Sequence, residues 1–345
     1  GIGGFRLGLE PLGGKCVFAS EIDGEAEKTY AENFGSADLI GDITGHYAQD
    51  LPQHDILTGG FPCQSFSVRG DQKGLNDPRG QLYQELVRVL IASQPKSFIF
   101  ENVANLVVHD GGKRGNRCLP PEPDVMGATL AMILNDFKNT GYQVAWKIVN
   151  SRHWLPQNRE RVYIIGFRND LGINPSEVFD WNLNRQASMY NTGKGKGLSS
   201  TVRDILEPSD AADIPLCVLT RSQLDKITSI DFLKKSYPLE AKNNTLTGKE
   251  NWINIDGKSP TLVSGYRNTS SFSTKYVFHE PDGTLREMPR FFTHLECKRI
   301  MGFPDSFKIP DAVKYTTFYK QIGNAVCPPV IHAIGAEVLR ILGVA

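Results

Sequence analysis

From its first residues to about Arg168, the chain alternates short apolar runs with amphipathic segments, and nothing else narrows the possible folds so sharply. Cys16-Val17-Phe18-Ala19 reads as a strand and Glu25 to Phe34 as a helix. Asp55-Ile56-Leu57-Thr58 reads as a strand that Gly59 and Gly60 end. Leu82, Leu86, Val89 and Leu90 recur at helical spacing, whereas Ser97-Phe98-Ile99-Phe100 is a short strand of the buried type. Leu130, Ile133, Leu134 and Phe137 line a helix stopped by Gly141. Val144, Trp146 and Ile148 alternate as a strand, and Val162 to Phe167 form another. This order predicts an α/β fold built on a doubly wound, mostly parallel sheet. Ligands in such sheets bind at the carboxyl ends of the strands.

After Trp181 the texture changes. Asn, Ser, Thr, Gly and Lys dominate 182–200, and helical periodicity is scarce until Thr293, which predicts a second, smaller lobe of short strands and loops. Thr293-x-x-Glu296 has the spacing of a capping box, opening a helix that Gly302 and Pro304 close. Val330 to Leu342 is an apolar helix that can return to the first domain. The expected organisation is therefore 1–183, 184–290 and a return segment 291–345, with 111–123 an exposed insertion.

Composition removes several function classes. The 38 basic and 38 acidic residues cancel, which argues against a nonspecific nucleic-acid coat but not against an enzyme with a local basic face. No apolar run reads as a membrane span, and no signal peptide is visible. The six cysteines form no CxxC pair and have no metal-ligand spacing with histidine. No metal is expected, and a reducing cytosol suits so few thiols in a chain this long.

Five motifs carry candidate chemistry. Gly1-x-Gly3-Gly4 precedes apolar residues, as in a loop that brings backbone N–H groups to a ligand at a helix start; taken alone, it is equally an ordinary turn. It reads like the middle of a βα turn, so a first strand is expected ahead of it. Glu21 and Asp42-Ile43 stand at successive predicted strand ends, where an acid can bind ribose or an amino group and an isoleucine can cover a flat ring. Each acid alone reads as a solvated strand end; in strand order they suggest a nucleoside site. Cys63, in Phe61-Pro62-Cys63-Gln64-Ser65-Phe66-Ser67, lies among turn residues just after a strand rather than inside an apolar run, which favours a nucleophile over a core thiol. Glu101 ends another strand at the same edge, as base, acid or hydrogen-bond partner, or as a plain helix cap. Arg159 and Arg161 are two apart, enter one strand and point to one face, which suits an anion or a polar ring; a salt-bridged strand edge is the bland alternative. Gly323-Asn324-Ala325-Val326 before the last helix resembles a cap that completes a pocket.

In the order FPCQSFS, ENV, QNRERVYIIGF and YKQIGNAV, with GIGGFRLGLE, SEID, GDIT and LECKRIMGFPDSF beside them, the chain resembles the cytosine-5 DNA methyltransferases of the bacterial restriction-modification type. The resemblance runs over nearly the whole chain. It implies a Rossmann-like catalytic domain that binds S-adenosyl-L-methionine and a smaller target-recognition domain. Gly1, Gly3 and Gly4 match the cofactor loop, Glu21 the ribose-binding acid, Asp42 and Ile43 the adenine contacts, and Leu82 a residue near the cofactor methionine. Asn324, Ala325 and Val326 match the turn that closes the cofactor pocket. Cys63 matches the nucleophile, flanked by Pro62 on the cofactor side and by Gln64 and Ser67 on the substrate side. Glu101 matches the acid that holds the cytosine, and Arg159 and Arg161 the arginines that orient it. Two features depart from the pattern: the family's opening strand is absent, and Ile22 stands where an aromatic residue is common.

The implied reaction is methyl transfer to carbon 5 of a cytosine flipped out of a specific duplex sequence, by a monomer in a bacterial cytoplasm at the nucleoid, with a cognate endonuclease as a potential partner. Lys194, Lys196, Arg221, Lys234, Lys235 and Arg267 are candidate DNA contacts, and 68–80 resembles a loop that closes over the base. The alternative substrate is tRNA. Members of that branch tend to carry Pro-Pro-Cys-Gln and a Cys-Phe-Thr run; this chain has Phe61-Pro62-Cys63-Gln64 and lacks the run. A non-catalytic binding protein predicts erosion at Cys63, Glu101 or Arg161, and all three stand. A cysteine hydrolase needs a histidine base that the sequence does not supply.

Overall fold

A computed structural model describes residues 1–61, 82–111, 126–183, 200–243, 245–247, 249–271 and 274–344. The elements of the first part are α1 (Gly4–Leu9), α2 (Gly24–Phe34), β1 (Ile56–Gly60), α3 (Tyr83–Ser93), β2 (Ser97–Val103), α4 (Ala128–Asn139), β3 (Tyr142–Asn150) and β4 (Glu160–Arg168). Strand order is β1-β2-β4-β3. β1 and β2 are parallel, and β4 runs antiparallel to both β2 and β3. Three of the four strands thus point the same way, with β4 wedged against that direction. The predicted strand at Cys16–Ala19 is reduced to a single parallel bridge between Ala19 and Leu39.

The sheet is apolar on both faces because each strand alternates into two cores. Leu57, Phe98, Phe100, Val144, Val162 and Ile164 pack with Val89 and Leu90 of α3 and with Leu130, Ile133, Leu134 and Phe137 of α4. Ile99, Ala145, Tyr163, Ile165 and Phe167 face the other core, shared with the C-terminal helices. The doubly wound expectation follows from this alternation. Gly166 in β4 marks the tightest point: a Cβ there would stand 2.1 Å from the Phe98 ring.

The remaining elements are α5 (Pro175–Val178) and α6 (Ile214–Cys217), both single turns, α7 (Arg221–Thr228), α8 (Ile230–Ser236), α9 (Pro238–Lys242), the hairpin β5 (Val277–His279) and β6 (Leu285–Arg290), α10 (His294–Met301), α11 (Tyr315–Asn324) and α12 (Pro328–Leu342). The second lobe was expected to hold strands and loops, but 221–242 is helical. Short polar helices escape a periodicity search, and these are fixed by local caps: Thr220 with Gln223 forms a capping box, and Ser229 caps α8. The box at Thr293 and Glu296 forms as predicted, and Glu296 also takes a two-pronged, fully buried ion pair from Arg290. Tyr315–Leu342 has the length and hydropathy of a membrane span, yet 67% of its apolar window is buried inside the fold. The stretch joins α11 and α12, of 10 and 15 residues, which are core helices of this fold.

Gly166→Ala forces the Phe98 ring to move. It should cost about 1–3 kcal/mol through overpacking, seen as a lower urea midpoint at unchanged slope. An unshifted midpoint would show that the two faces of the sheet are not packed as tightly as described.

Candidate active site

Because β4 runs against its neighbours, its first residues lie where β1 and β2 end. The register pairs Gly60 with Glu101, Glu101 with Tyr163, and Val103 with Arg161. Glu101 and Arg161 are therefore diagonal neighbours on one face, a separation that a long side chain spans. Arg161 Nε meets Glu101 Oε1 at 2.9 Å, and Arg161 Nη1 donates to the Glu160 carbonyl at 2.8 Å. Glu101 Oε2 hangs over Gly60, 3.5 Å from where a Cβ would be. Asn102, buried beside it, donates to the Phe61 carbonyl at 3.1 Å and so fixes the exit of β1.

Although 12% of the Glu101 side chain stays open, desolvation pushes its carboxyl above the usual range, against the opposing pull of Arg161 and then Arg159. A carboxyl raised in this way can hold a proton for donation to a ring nitrogen. Burial likewise pushes up the nearby Cys327 thiol, which removes it as a nucleophile.

The structure gives Arg159 a different task from the substrate contact expected of it. Its guanidinium is buried, with Nη1 donating to the Leu262 carbonyl at 2.9 Å and Nη2 to the carbonyls of Gly323 at 3.1 Å and Ala325 at 2.8 Å. Burial, reinforced by Arg161, brings its pKa down to about 10. The side chain does point to the face of Arg161, but its two amino groups are committed to backbone. Gln157, which the sequence reading quoted without a role, is fully buried one step back along the same row. Its Oε1 accepts from the Leu262 N–H at 2.7 Å. The two-residue spacing of Gln157, Arg159 and Arg161 leading into β4 was the signal that could have singled it out.

Of the expected cofactor residues, Gly1, Gly3, Gly4, Glu21, Ile22, Asp42 and Ile43 come together. The Ala19–Leu39 bridge and the Glu21 N–H bond to the Gly41 carbonyl (3.1 Å) set the two acids side by side, and the Gly1 amino group pairs with Glu21. Asp42 is no strand end; it caps a short 3₁₀ turn by accepting from Thr44 N–H at 2.9 Å, a bond that lowers its pKa. Gly3 has φ +93°, and a Cβ on it would strike the Phe34 ring; one on Gly4 would lie 2.9 Å from the Val326 carbonyl oxygen. That contact joins the glycine loop to Asn324, Ala325 and Val326, of which Asn324 is exposed. Ile22 is 74% exposed, and Leu82, which precedes α3, is 38% exposed. An apolar side chain, Ile22, left open beside the acids, and a backbone loop that only glycine can form, fit a nucleoside such as that of S-adenosyl-L-methionine.

Pro62, Cys63, Gln64 and Ser67 lie outside the described residues, as do 68–80, most of the 111–123 insertion, Lys194 and Lys196. Arg221, Lys234 and Lys235 are exposed, but Arg267 turns inward. It lies over the rings of Phe291, Tyr315 and Tyr319, at 4.8–5.5 Å, and bonds the Leu216 carbonyl. It is a packing residue rather than a phosphate contact.

A glycine loop and acids beside the edge of this α/β sheet fit the Rossmann-like class of nucleoside-binding folds. The sequence profile of the C-5 cytosine-specific DNA methylases matches residues 1–340, and the chain belongs to that family. It is 36% identical to the type II methyltransferase M.NlaX of Neisseria lactamica over 98% of this chain and 93% of that one. It is likewise 36% identical to M.HpaII of Haemophilus parainfluenzae, over 99% and 88%. Among solved structures, the Dnmt2 methyltransferase of S. pombe superposes with a TM-score of 0.70 over 99% of this chain and 97% of that one at 19% identity, a likeness of fold. The chain is thus a cytosine-C5 DNA methyltransferase that uses S-adenosyl-L-methionine.

Arg161→Met should destabilise the fold by about 3 kcal/mol by leaving Glu101 buried without its partner. The sign with pH follows from the raised carboxyl: its stabilising contribution is full at low pH and is lost as pH rises through the folded pKa. Losing Arg161 raises that pKa further, so the deficit should be larger at about pH 8 than at about pH 5, and adding Glu101→Gln should restore most of it. Urea midpoints of the three proteins at both pH values check this; a deficit independent of pH would mean the pair is not coupled.

Proposed function

We propose that the enzyme methylates carbon 5 of a cytosine flipped out of a specific duplex sequence, through a covalent adduct between Cys63 and carbon 6 of the ring. Carbon 5 is too weak a nucleophile unaided. Adding a thiolate at carbon 6 turns the ring into an enamine and makes carbon 5 reactive, splitting one hard step into easier ones. S-adenosyl-L-methionine supplies an electrophilic methyl group; Gly1, Gly3, Gly4, Glu21, Ile22, Asp42, Ile43, Pro62, Leu82, Asn324, Ala325 and Val326 are the residues we assign to holding it. Protonated Glu101 donates to ring nitrogen 3, accepts from the exocyclic amino group, and stabilises charge as it develops. Arg161 orients Glu101 and holds the ring carbonyl. Loss of the carbon 5 proton then expels Cys63. Gln64 and Ser67 contact the base or its strand. A duplex base is out of reach in the stack, hence the flipping.

The observation that carries this reading is the 2.9 Å Glu101–Arg161 pair at the edge where β1 ends, three residues before Cys63 in the chain. Residues 184–290 read the sequence, with Arg221, Lys234 and Lys235 as exposed phosphate contacts. Residues 291–345 return to the catalytic domain, as the packing of α12 against the sheet supports. The names of the type II relatives support a restriction-modification system with a cognate endonuclease. We place the enzyme as a monomer in a bacterial cytoplasm, at the nucleoid.

With methyl-labelled cofactor, label should appear as 5-methylcytosine in mixed-sequence duplex DNA. Label confined to bulk tRNA would move the substrate to RNA. Cys63→Ala should abolish transfer while retaining DNA binding, and unchanged turnover would sink the adduct. Glu101→Gln should lower kcat by about 10²–10³-fold and abolish the alkaline limb of its pH profile, because the amide has no proton to lose there. An alkaline limb that persists would remove Glu101 as the proton donor.

A further inference from the structure

We propose that Gln157 and Arg159 are positioning residues that grip the backbone of one residue of the second lobe, Leu262, and keep its base-reading surface in register with Glu101 and Arg161. The proposal rests on the reading of 184–290 as the DNA-reading part. Gln157, Arg159 and Arg161 form one row at alternate positions, and the first two divide the backbone of Leu262 between them. Gln157 Oε1 accepts its N–H at 2.7 Å, and Arg159 Nη1 donates to its carbonyl at 2.9 Å. The strip around Leu262 is zipped to the same loop. Ser259 N–H donates to the Pro156 carbonyl and Asn158 N–H to the Ser259 carbonyl, both at 2.7 Å, and Thr261 Oγ1 donates to the Asn158 carbonyl at 2.8 Å.

The grip extends into the return segment. Gln157 Nε2 donates to the Ile300 carbonyl at 3.2 Å, and Arg159 Nη2 holds the carbonyls of Gly323 and Ala325. Gly323 admits the strip so closely that a Cβ would stand 2.5 Å from the Val263 carbonyl carbon. Burying an amide and a guanidinium is costly, and apolar residues could fill the same space. What the polar clamp adds is register: it accepts Leu262 and no neighbour, since a one-residue slip leaves both buried groups unmatched.

The test compares methylation of the cognate duplex, mapped by bisulfite with the wild-type enzyme, with that of duplexes changed by one base pair. Gln157→Leu and Arg159→Lys should lower the cognate-to-altered rate ratio about tenfold, and Thr261→Val, a milder change in the same strip, should lower it in the same direction. A merely structural role reduces the active fraction and scales both rates, leaving the ratio as it was; that result overturns the proposal. Amide hydrogen exchange judges the clamp without turnover. The Leu262 amide should lose protection in Gln157→Leu while β2 keeps its own, and continued protection of Leu262 overturns the proposal too. A wild-type enzyme that methylates no DNA would contradict the functional reading alone.

Discussion

The ion pair between Glu101 and Arg161 is the contact on which the site is built. It joins the carboxyl end of a strand running one way to the amino end of a strand running the other, and only an antiparallel β4 can deliver that meeting. A parallel neighbour would carry its arginines to the far edge of the sheet. The pair is largely buried, so its partners need each other: the guanidinium keeps the carboxyl in place, and the desolvation that makes the pair costly also raises the carboxyl toward a state that can donate a proton.

Around that pair the chain uses backbone more than side chains. Gly60 leaves room over Glu101 Oε2, Gly3 and Gly4 bring the first helix against Phe34 and Val326, and Gly323 lets the second lobe approach α11. Arg159 ties three carbonyls from two distant segments. The glycine loop, the strand ends and the return segment are therefore one connected frame, and a disturbance at Val326 or Leu262 reaches Glu101 through a few contacts.

Much of this was legible in the sequence. Strands with both faces apolar, such as 97–103 and 160–168, announce themselves by composition, and α4 and α12 by spacing and end signals. Glu101 and Arg161 were legible because their motifs occur in family order at strand ends, whereas Glu21 and Asp42 were picked out by motif order alone, since neither ends a strand. The first predicted strand shrank to a bridge because Cys16–Ala19 has one half-buried flank and few partners. The helices of 221–242 were missed because they are short, polar and held by caps rather than by an apolar stripe. The backbone contacts of Arg159 were not legible for a physical reason: a row of alternate residues shows which side chains share a face, but not which one meets a carboxylate and which one meets backbone from a hundred residues away. Gln157 went unassigned on the same account.

The most direct test of the central claim is to trap the reaction on duplex DNA bearing 5-fluorocytosine at the target position, in the presence of S-adenosyl-L-methionine. Fluorine cannot leave carbon 5 as a proton does, so the enzyme should remain bonded to carbon 6. The account predicts a denaturant-stable protein–DNA adduct whose mass includes one methyl group and whose peptide map places the bond at Cys63. Methylation of ordinary cytosine with no trapped adduct, or an adduct at another residue such as Cys327, would contradict it.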